Sequence, residues 1–109
     1  MKNSNILMIA FCLLLPLSAN ARGNVEAGAK KSETCKACHG EAGAKPTQAE
    51  YPVLAGQHYD YLVAVLTHYK SGKRKNALMN GFAAALKPDD IRDLAAYFSS
   101  QPSDLRTKY

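Results

Sequence analysis

Cys35-Lys36-Ala37-Cys38-His39 is a C-x-x-C-H run, the spacing typical of covalent haem attachment. Two thiols at this spacing lie on one side of a tight helical turn, where both can add to the vinyl groups of one porphyrin. His39 follows directly, so its imidazole reaches the iron without help from distant parts of the chain. The run therefore predicts one haem c, held by thioether bonds to Cys35 and Cys38 and ligated by His39.

Two other chemistries use cysteines at this spacing. A thioredoxin-like dithiol is expected within a βαβ unit, but no stretch of this chain shows the alternation of a convincing strand. A zinc site needs a fourth ligand, but neither His58 nor His68 belongs to an H-x₃₋₅-H pair, and no second C-x-x-C exists. Haem attachment is the better interpretation of the run.

Residues 1–21 have the three parts of a secretory signal peptide. Lys2 supplies the positive start, and residues 6–15 form an apolar run too short to span a bilayer. Ala19-Asn20-Ala21 then places small residues at the positions that a signal peptidase reads. We expect cleavage after Ala21 and export to the periplasm, with no membrane anchor left on the mature protein.

The mature chain is predicted to be one monohaem domain, residues 22–109, because removal of 21 of the 109 residues leaves 88. A chain of this size buries only about 60–65% of its unfolded surface, so a large apolar cofactor would stabilise it substantially. Cys12 leaves with the signal. The formal net charge falls from +5 to +4 with Lys2, and two haem propionates would bring it to about +2. This weak positive charge does not indicate a nucleic-acid partner.

The helix signals begin at Asn24, a good N-cap for a helix over residues 25–32 with an acidic first turn. Gly28 costs that helix roughly 1 kcal/mol against alanine, which suggests that another helix approaches it closely, although a tolerated glycine is an equal alternative. Residues 57–71 carry apolar side chains at helical spacing and stop before Gly72, as expected for a second helix.

The last helix is predicted from Pro88, at the first helical position, to about Ser100. Lys87 is a poor N-cap that Pro88 only partly offsets. The apolar stripe of this helix follows the i, i+3, i+4, i+7 pattern: Ile91, Leu94, Ala95 and Phe98. A short helix over residues 81–86 would precede it. The predicted class is all-α.

Pro52 lies in the apolar, non-helical stretch 51–56, after a glycine-rich loop. Its carbonyl could accept a hydrogen bond from the outer nitrogen of His39, which would orient the ring and strengthen it as a ligand. A rigid turn proline is the plainer explanation of this residue alone.

Met79 is the only methionine after residue 21. A lone methionine is more often core filler than a ligand. A haem with His39 on one face nevertheless needs a second axial ligand, and Met79 lies in a polar segment, residues 76–81. A thioether ligand raises the reduction potential of haem, which suits an electron carrier. We therefore predict Met79 as the sixth ligand and interpret His58 and His68 as surface or helix-end residues, with either one the replacement if Met79 fails.

Four basic residues lie close together before Met79: Lys70, Lys73, Arg74 and Lys75. Such a stretch is commonly a solvated loop. In this chain it could also neutralise a haem propionate, with the forked guanidinium of Arg74 the best donor, or meet an acidic patch on a partner.

A longer pattern accompanies the C-x-x-C-H run, over residues 23–28, 35–40, 52–57, 61–62, 69–74, 79 and 90–98. Together these stretches resemble a class I cytochrome c, close to a single-haem version of one half of a cytochrome c4 and similar also to the small bacterial c5 and c553 proteins. The resemblance covers nearly all of residues 22–109. It implies that Cys35 and Cys38 hold the haem and that His39 and Met79 ligate the iron.

The resemblance also implies a small class I cytochrome c fold with the haem in its core. Its first and last helices would cross, with Gly28 giving Tyr97 or Phe98 room to pack, and Pro52 would support His39. The chain departs from cytochrome c4 in its single haem motif and the lack of a second domain. A relay between two haems is therefore excluded within one chain, though a homodimer would restore one.

The implied function is reversible one-electron transfer between Fe(II) and Fe(III), not catalysis, because two protein ligands leave no open iron position for a substrate. The expected partners are redox proteins, such as a terminal oxidase or a flavoprotein dehydrogenase. One alternative is the cytochrome subunit of a periplasmic dehydrogenase, such as a flavocytochrome c sulfide dehydrogenase. Another is a gas-binding or peroxidase-type haem protein with a weakly held sixth ligand.

Overall fold

The computed structural model describes residues 22–105. All regular secondary structure in that stretch is helical, which confirms the predicted all-α class. The elements are α1 (Val25–Lys31), a 3-10 turn (Ser32–Cys35), α2 (Lys36–His39), a second 3-10 turn (Glu41–Gly43), α3 (Tyr59–Ser71), α4 (Ala77–Ala84) and α5 (Pro88–Ser100). No strand occurs between residues 22 and 105. The predicted signal peptide, residues 1–21, lies outside the described residues.

The first and last helices pack against each other at Gly28, which is buried. A Cβ atom on Gly28 would lie 2.0 Å from the carbonyl oxygen of Asp93 and 2.7 Å from Cβ of Tyr97. The glycine is therefore required by the close approach of α5, as one of the two interpretations predicted. Of the two aromatic residues considered, Tyr97 is the one packed at Gly28, whereas Phe98 lies against Gly43.

Polar contacts hold the same two helices together. The Asn24 side chain caps α1 by accepting from the N–H of Ala27, and the Asn24 N–H donates to Asp93 Oδ1 at 2.8 Å. Lys31 Nζ lies 2.8 Å from Asp90 Oδ1 and 2.6 Å from Asp93 Oδ2. These hydrogen bonds from Lys31 lower the pKa of both carboxyl groups, and they raise the pKa of Lys31 itself.

Helix α3 begins at Tyr59, two residues later than predicted, because His58 has an extended backbone and forms the N-cap. The Gln57 side chain accepts a hydrogen bond from the His58 N–H at 2.8 Å. This N–H therefore has a partner although it lies outside the helix. At the other end Gly72 adopts a left-handed conformation, with φ 78°, as expected of a glycine that ends a helix. Leu62 is the buried residue of α3.

Helix α4 differs most from the prediction. It runs from Ala77 to Ala84, so Met79 lies in its first turn and not in an irregular segment before a helix at residues 81–86. Asn76 is the N-cap, and its side chain accepts the Met79 N–H at 3.0 Å. This capping hydrogen bond starts the helix four residues earlier than the glycine at position 81 suggested.

Helix α5 begins at Pro88 and ends at Ser100, as predicted, and its whole predicted stripe is buried: Ile91, Leu94, Ala95 and Phe98. Asp90 makes up for the poor N-cap, since its Oδ2 accepts the Lys87 N–H at 2.8 Å. Leu62 of α3 joins three of these residues in one core cluster, against which Cys35 also packs. Within residues 22–105, no helix has the length and apolar character needed to cross a membrane.

The helix crossing predicts a large penalty for the smallest added side chain. We expect Gly28→Ala to lower the free energy of unfolding by about 3 kcal/mol, because the methyl group would overlap the Asp93 backbone. Gly81→Ala is the matched control, since no atom lies within 4 Å of a Cβ built at that helical glycine, and it should be neutral or gain up to about 1 kcal/mol. Urea unfolding of the haem-loaded protein measures both. Equal stability of the two variants would contradict the close contact.

The Lys31 cluster predicts a pH-dependent contribution to stability. Because both carboxyl groups have lowered pKa values in the folded state, their contribution is complete above the ordinary pKa of 3.8 and is lost as the pH falls through the lower folded values. Lys31→Met should therefore cost roughly 1–2 kcal/mol at pH 6 and much less at pH 3, as measured by urea unfolding at both pH values.

Lys30→Met controls for the loss of a positive charge from α1. Lys30 lies 3.8 Å from Glu26 and both side chains are more than three-quarters exposed, so this variant should change stability by under about 0.5 kcal/mol at either pH. A penalty for Lys31→Met that is the same at pH 6 and pH 3 would show that the cluster does not titrate as described.

Candidate haem site

The C-x-x-C-H run forms a continuous helical turn directly after α1. Cys35 ends the 3-10 turn, while Cys38 and His39 belong to α2. Lys36, between the cysteines, lies 2.9 Å from Glu33 and 3.1 Å from Glu41, so salt bridges tie the turn to its flanks. Both thiols and the imidazole therefore lie on one short stretch of helix, as the spacing predicted.

The chain leaves this turn through a tightly fitted loop. Gly40 has a φ of 79°, and a Cβ there would lie 2.0 Å from the Lys45 carbonyl oxygen. Thr47 then folds back over the turn: its N–H donates to the Cys38 carbonyl at 3.0 Å, and its hydroxyl donates to the Ala37 carbonyl at 3.2 Å. The loop thus holds the backbone of the C-x-x-C-H run from its far side, a role that sequence reasoning did not assign to Thr47.

His39 is 7% exposed, and its Nδ1 lies 2.8 Å from the carbonyl oxygen of Pro52. The hydrogen bond suggested by the sequence is therefore present. It occupies one ring nitrogen and leaves Nε2 as the nitrogen available to a metal. The Tyr51 ring stands 6.3 Å from the imidazole, tilted by 51°. The histidine ring is thus held in one orientation by a backbone group before any metal is considered.

Cys35 and Cys38 are both half-buried and are not joined in a disulfide. Burial raises the pKa of the Cys35 thiol above its ordinary value, because burial disfavours the charged thiolate. Among residues 22–105, no three histidine, cysteine or acidic side chains are gathered as a metal site would require. The two thiols and the oriented imidazole match the donors that a covalently bound haem needs.

The remaining predicted residues lie on α3 and α4. Met79 is half-buried in the first turn of α4, beside Leu78, which is 57% exposed. His58 is exposed at the start of α3 and His68 is half-buried near its end, as interpreted from the sequence. The guanidinium of Arg74 stacks on the Tyr69 ring at 5.1 Å from its centroid.

Sequence reasoning missed two asparagines beside Met79. Asn76 accepts the Met79 N–H, and Asn80 accepts the Asn76 N–H at 2.8 Å. The Asn80 side chain also donates to the carbonyl oxygens of Tyr69 and Arg74. A signal was available, because an asparagine directly before the first apolar residues of a helix is a common N-cap.

An all-α fold with crossed terminal helices, two free thiols on one turn and an oriented histidine defines a small haem-binding protein. The chain belongs to the cytochrome c family, whose family model matches residues 25–102. Proteins of this family carry covalently attached haem c, so the predicted cofactor is confirmed.

Individual relatives agree with this assignment. The chain is 40% identical over 99 residues to cytochrome c4 of Pseudomonas aeruginosa, covering 89% of this chain but 49% of that protein. It is 44% identical over 82 residues to cytochrome c-554(548) of Halomonas halodenitrificans, covering 72% of this chain and 98% of that protein. The chain thus spans about half the length of the cytochrome c4 and almost all of the shorter relative.

Solved structures show the same fold. Reduced recombinant cytochrome c4 from Pseudomonas stutzeri superimposes with a TM-score of 0.70 at 37% identity, over 76% of this chain and 48% of that one. A thiosulfate dehydrogenase from Marichromatium purpuratum gives the same TM-score and identity over 75% of this chain and 20% of that one.

A further relative was found by sequence. A thiosulfate dehydrogenase electron acceptor from Thiomonas intermedia is 39% identical over 69 residues, covering 63% of this chain and 32% of that protein.

Proposed function

We propose that this protein is a periplasmic one-electron carrier with a single haem c. Cys35 and Cys38 hold the haem by thioether bonds, and His39 and Met79 ligate its iron. The observation that supports this most directly is the 2.8 Å contact between His39 Nδ1 and the Pro52 carbonyl oxygen. A free surface histidine needs no such partner, whereas a histidine ligand is regularly held by one.

The Pro52 carbonyl has two effects on His39. It selects the tautomer in which Nδ1 carries the proton, so that Nε2 is unprotonated and would be the nitrogen that binds iron. It also increases the electron density that the ring can donate, which strengthens the bond to the metal. Proline suits this position because its fixed φ holds the acceptor in place at no further entropic cost.

Met79 supplies the second ligand because it is the only methionine between residues 22 and 109 and stands on a helix whose first turn is capped. Leu78 and Phe82 of the same helix are large apolar side chains, 57% and 54% exposed. Such side chains are costly to leave in water, and an apolar macrocycle is the kind of group that would cover them. A thioether ligand favours ferrous iron and raises the potential.

Bound haem supplies reversible exchange of one electron between ferrous and ferric iron. Hydrogen bonds hold the His39 ring and the Met79 backbone in place, so that neither proposed ligand would have to move far when the charge of the iron changes. Two protein ligands also leave no vacant position for a substrate, which favours a carrier over a gas-binding or peroxidase-type protein. Arg74 and its lysine neighbours place positive charge where an acidic partner could dock.

Periplasmic location is supported by the signal-like composition of residues 1–21 and by the cysteine chemistry. In an oxidising compartment a free C-x-x-C pair would be driven toward a disulfide, and thioether formation with haem prevents this. Periplasmic haem attachment and a periplasmic electron carrier are thus mutually consistent.

The ligand assignment predicts a specific spectral change. In the ferric holoprotein, Met79→Ala should abolish the weak long-wavelength band of a sulfur-to-iron bond, lower the reduction potential and let carbon monoxide bind the reduced form rapidly. His58→Ala and His68→Ala are the controls and should leave the band in place. Visible absorption of the purified oxidised and reduced proteins makes the measurement.

Two results would count against His39/Met79 ligation. A Met79→Ala spectrum identical to that of the parent protein would make His58 or His68 the sixth ligand, and the histidine variants would show which. Rapid carbon monoxide binding by the unmutated reduced protein would favour a gas-binding or peroxidase-type protein with a weak sixth ligand.

A second candidate function is the electron acceptor of a periplasmic dehydrogenase. The similarity to a thiosulfate dehydrogenase electron acceptor and to part of a solved thiosulfate dehydrogenase favours this class of partner. The sequence suggested a flavoprotein as the dehydrogenase partner, whereas these relatives favour a thiosulfate-oxidising enzyme. The residues proposed to carry the electron are the same in both candidates.

This candidate predicts that a thiosulfate dehydrogenase with thiosulfate reduces the ferric holoprotein within seconds, while thiosulfate alone does not. Stopped-flow absorption measures the rate. Lys73→Glu combined with Lys75→Glu should slow reduction at low salt by about tenfold and have little effect at high salt, because screening removes long-range attraction. Slow reduction by the dehydrogenase at every salt concentration would contradict the second candidate function and leave the freely diffusing electron carrier as the remaining proposal.

A further inference from the structure

Asn80, the residue after Met79, uses its side-chain amide on three backbone groups. Its Nδ2 donates to the Tyr69 carbonyl oxygen at 2.8 Å and to the Arg74 carbonyl oxygen at 2.9 Å, and its Oδ1 accepts the Asn76 N–H at 2.8 Å. Both amide donors are therefore satisfied by main-chain oxygens. A planar amide held at three points can occupy only one position relative to the backbone around it.

The three partners belong to different parts of the chain. Tyr69 is in the last turn of α3, Arg74 lies in the connection after it, and Asn76 is the N-cap of α4. Asn80 thus fixes the first turn of α4 against the end of α3 and against the chain that joins the two helices. Hydrogen bonds of this kind between side chain and backbone specify a loop more narrowly than apolar packing does.

The network reaches Met79 through one further hydrogen bond. Asn76, held by Asn80, accepts the Met79 N–H with its own side chain at 3.0 Å. In a usual capping box the residue at the third helical position returns the hydrogen bond to the N-cap. Met79 occupies that position and cannot return it, so Asn80, one residue later, does so. The Met79 side chain therefore takes no part in capping the helix.

We propose that Asn80 is the residue that positions the Met79 sulfur as an axial ligand. This inference rests on the proposed function, in which Met79 ligates the iron. Asn80 makes no bond to the metal; it sets the place and direction from which the Met79 side chain leaves the backbone. A methionine side chain has three rotatable bonds, so a drifting backbone would let the sulfur leave the iron more often.

The alternative is that Asn80 only stabilises the contact between α3 and α4. Lys70 provides the comparison, because its Nζ donates to the Ala84 carbonyl at 3.0 Å and so joins the same two helices at the far end of α4. Lys70→Met removes that contact without touching the asparagine network. A purely structural role predicts similar behaviour for variants at residues 70 and 80, whereas a positioning role predicts that only residue 80 affects the ligand.

The test uses three ferric holoproteins: Asn80→Asp, Asn80→Ala and Lys70→Met. Asn80→Asp has the same shape and retains an acceptor for the Asn76 N–H, but it lacks both donors and places an oxygen against the Tyr69 and Arg74 carbonyls. Each protein is titrated with imidazole, which binds the iron only when the sulfur has left. The reduction potential and the sulfur-to-iron band are measured on the same samples, well below the unfolding temperature.

We expect both Asn80 variants to bind imidazole about tenfold more tightly than the parent protein, with a lower reduction potential and a weaker sulfur-to-iron band. Lys70→Met should keep the sulfur-to-iron band and stay within twofold of the parent affinity for imidazole, although its unfolding midpoint falls. Its reduction potential is not used as a control, because Lys70 belongs to the basic stretch before Met79. Asn80 variants that lose stability but keep the parent affinity for imidazole would overturn the positioning role. Asn80→Ala guards against an effect of repulsion alone in Asn80→Asp, because it removes both donors without placing an oxygen against the Tyr69 and Arg74 carbonyls.

Met79→Ala separates this inference from the proposed function. If that variant keeps the parent band and imidazole affinity, then Met79 is not the ligand, and both proposals fail. If Met79→Ala loses the band while Asn80→Asp and Asn80→Ala match the parent protein, His39/Met79 ligation stands and the role of Asn80 alone is wrong.

Discussion

The contact of Gly28 with the Asp93 backbone is the constraint on which the rest of the structure depends. Because no side chain separates them, α1 and α5 approach closely enough for Asn24 and Lys31 to bond the acidic groups of α5. The C-x-x-C-H turn follows α1 directly, so its place against the core is set by this crossing. Phe98, further along α5, continues the effect: its carbonyl accepts the Gly56 N–H at 2.9 Å and its ring lies against Gly43.

The two sides of the proposed haem site are held by different means. On one side, Thr47 donates to the Cys38 carbonyl, and the Gly43 carbonyl accepts from the N–H groups of Leu54 and Ala55. These hydrogen bonds hold the loop after His39, in which the Pro52 carbonyl meets the imidazole. On the other, the asparagine pair fixes the start of α4, which carries Met79. Both devices act on the backbone. Backbone hydrogen bonds of this kind would limit movement of the two proposed ligands when the charge of the iron changes.

Most of the helices were predictable because their signals are local. The stripe of α5, its proline at the first helical position and the cap at Asn24 each depend on residues within one or two turns. Helix α4 is the exception, because the sequence pattern suggests a start at Gly81, whereas the cap at Asn76 starts the helix at Ala77. The sequence left Tyr97 and Phe98 as possible neighbours of Gly28, and the structure shows that Tyr97 is the neighbour. Adjacent residues on a helix point in directions about 100° apart, so only one of the two can face Gly28.

The sequence by itself determined the chemistry: two thiols and an imidazole on one turn, a single methionine beyond the signal-like segment, and helices with one apolar face. These follow from residue identity and spacing, because covalent geometry keeps near neighbours together. Only the tertiary structure decided which distant groups meet. The Pro52 carbonyl lies 13 residues from His39, and Asp93 lies 62 residues from Lys31. The path of the chain between such residues depends on the packing of every helix at once, and no local pattern encodes it.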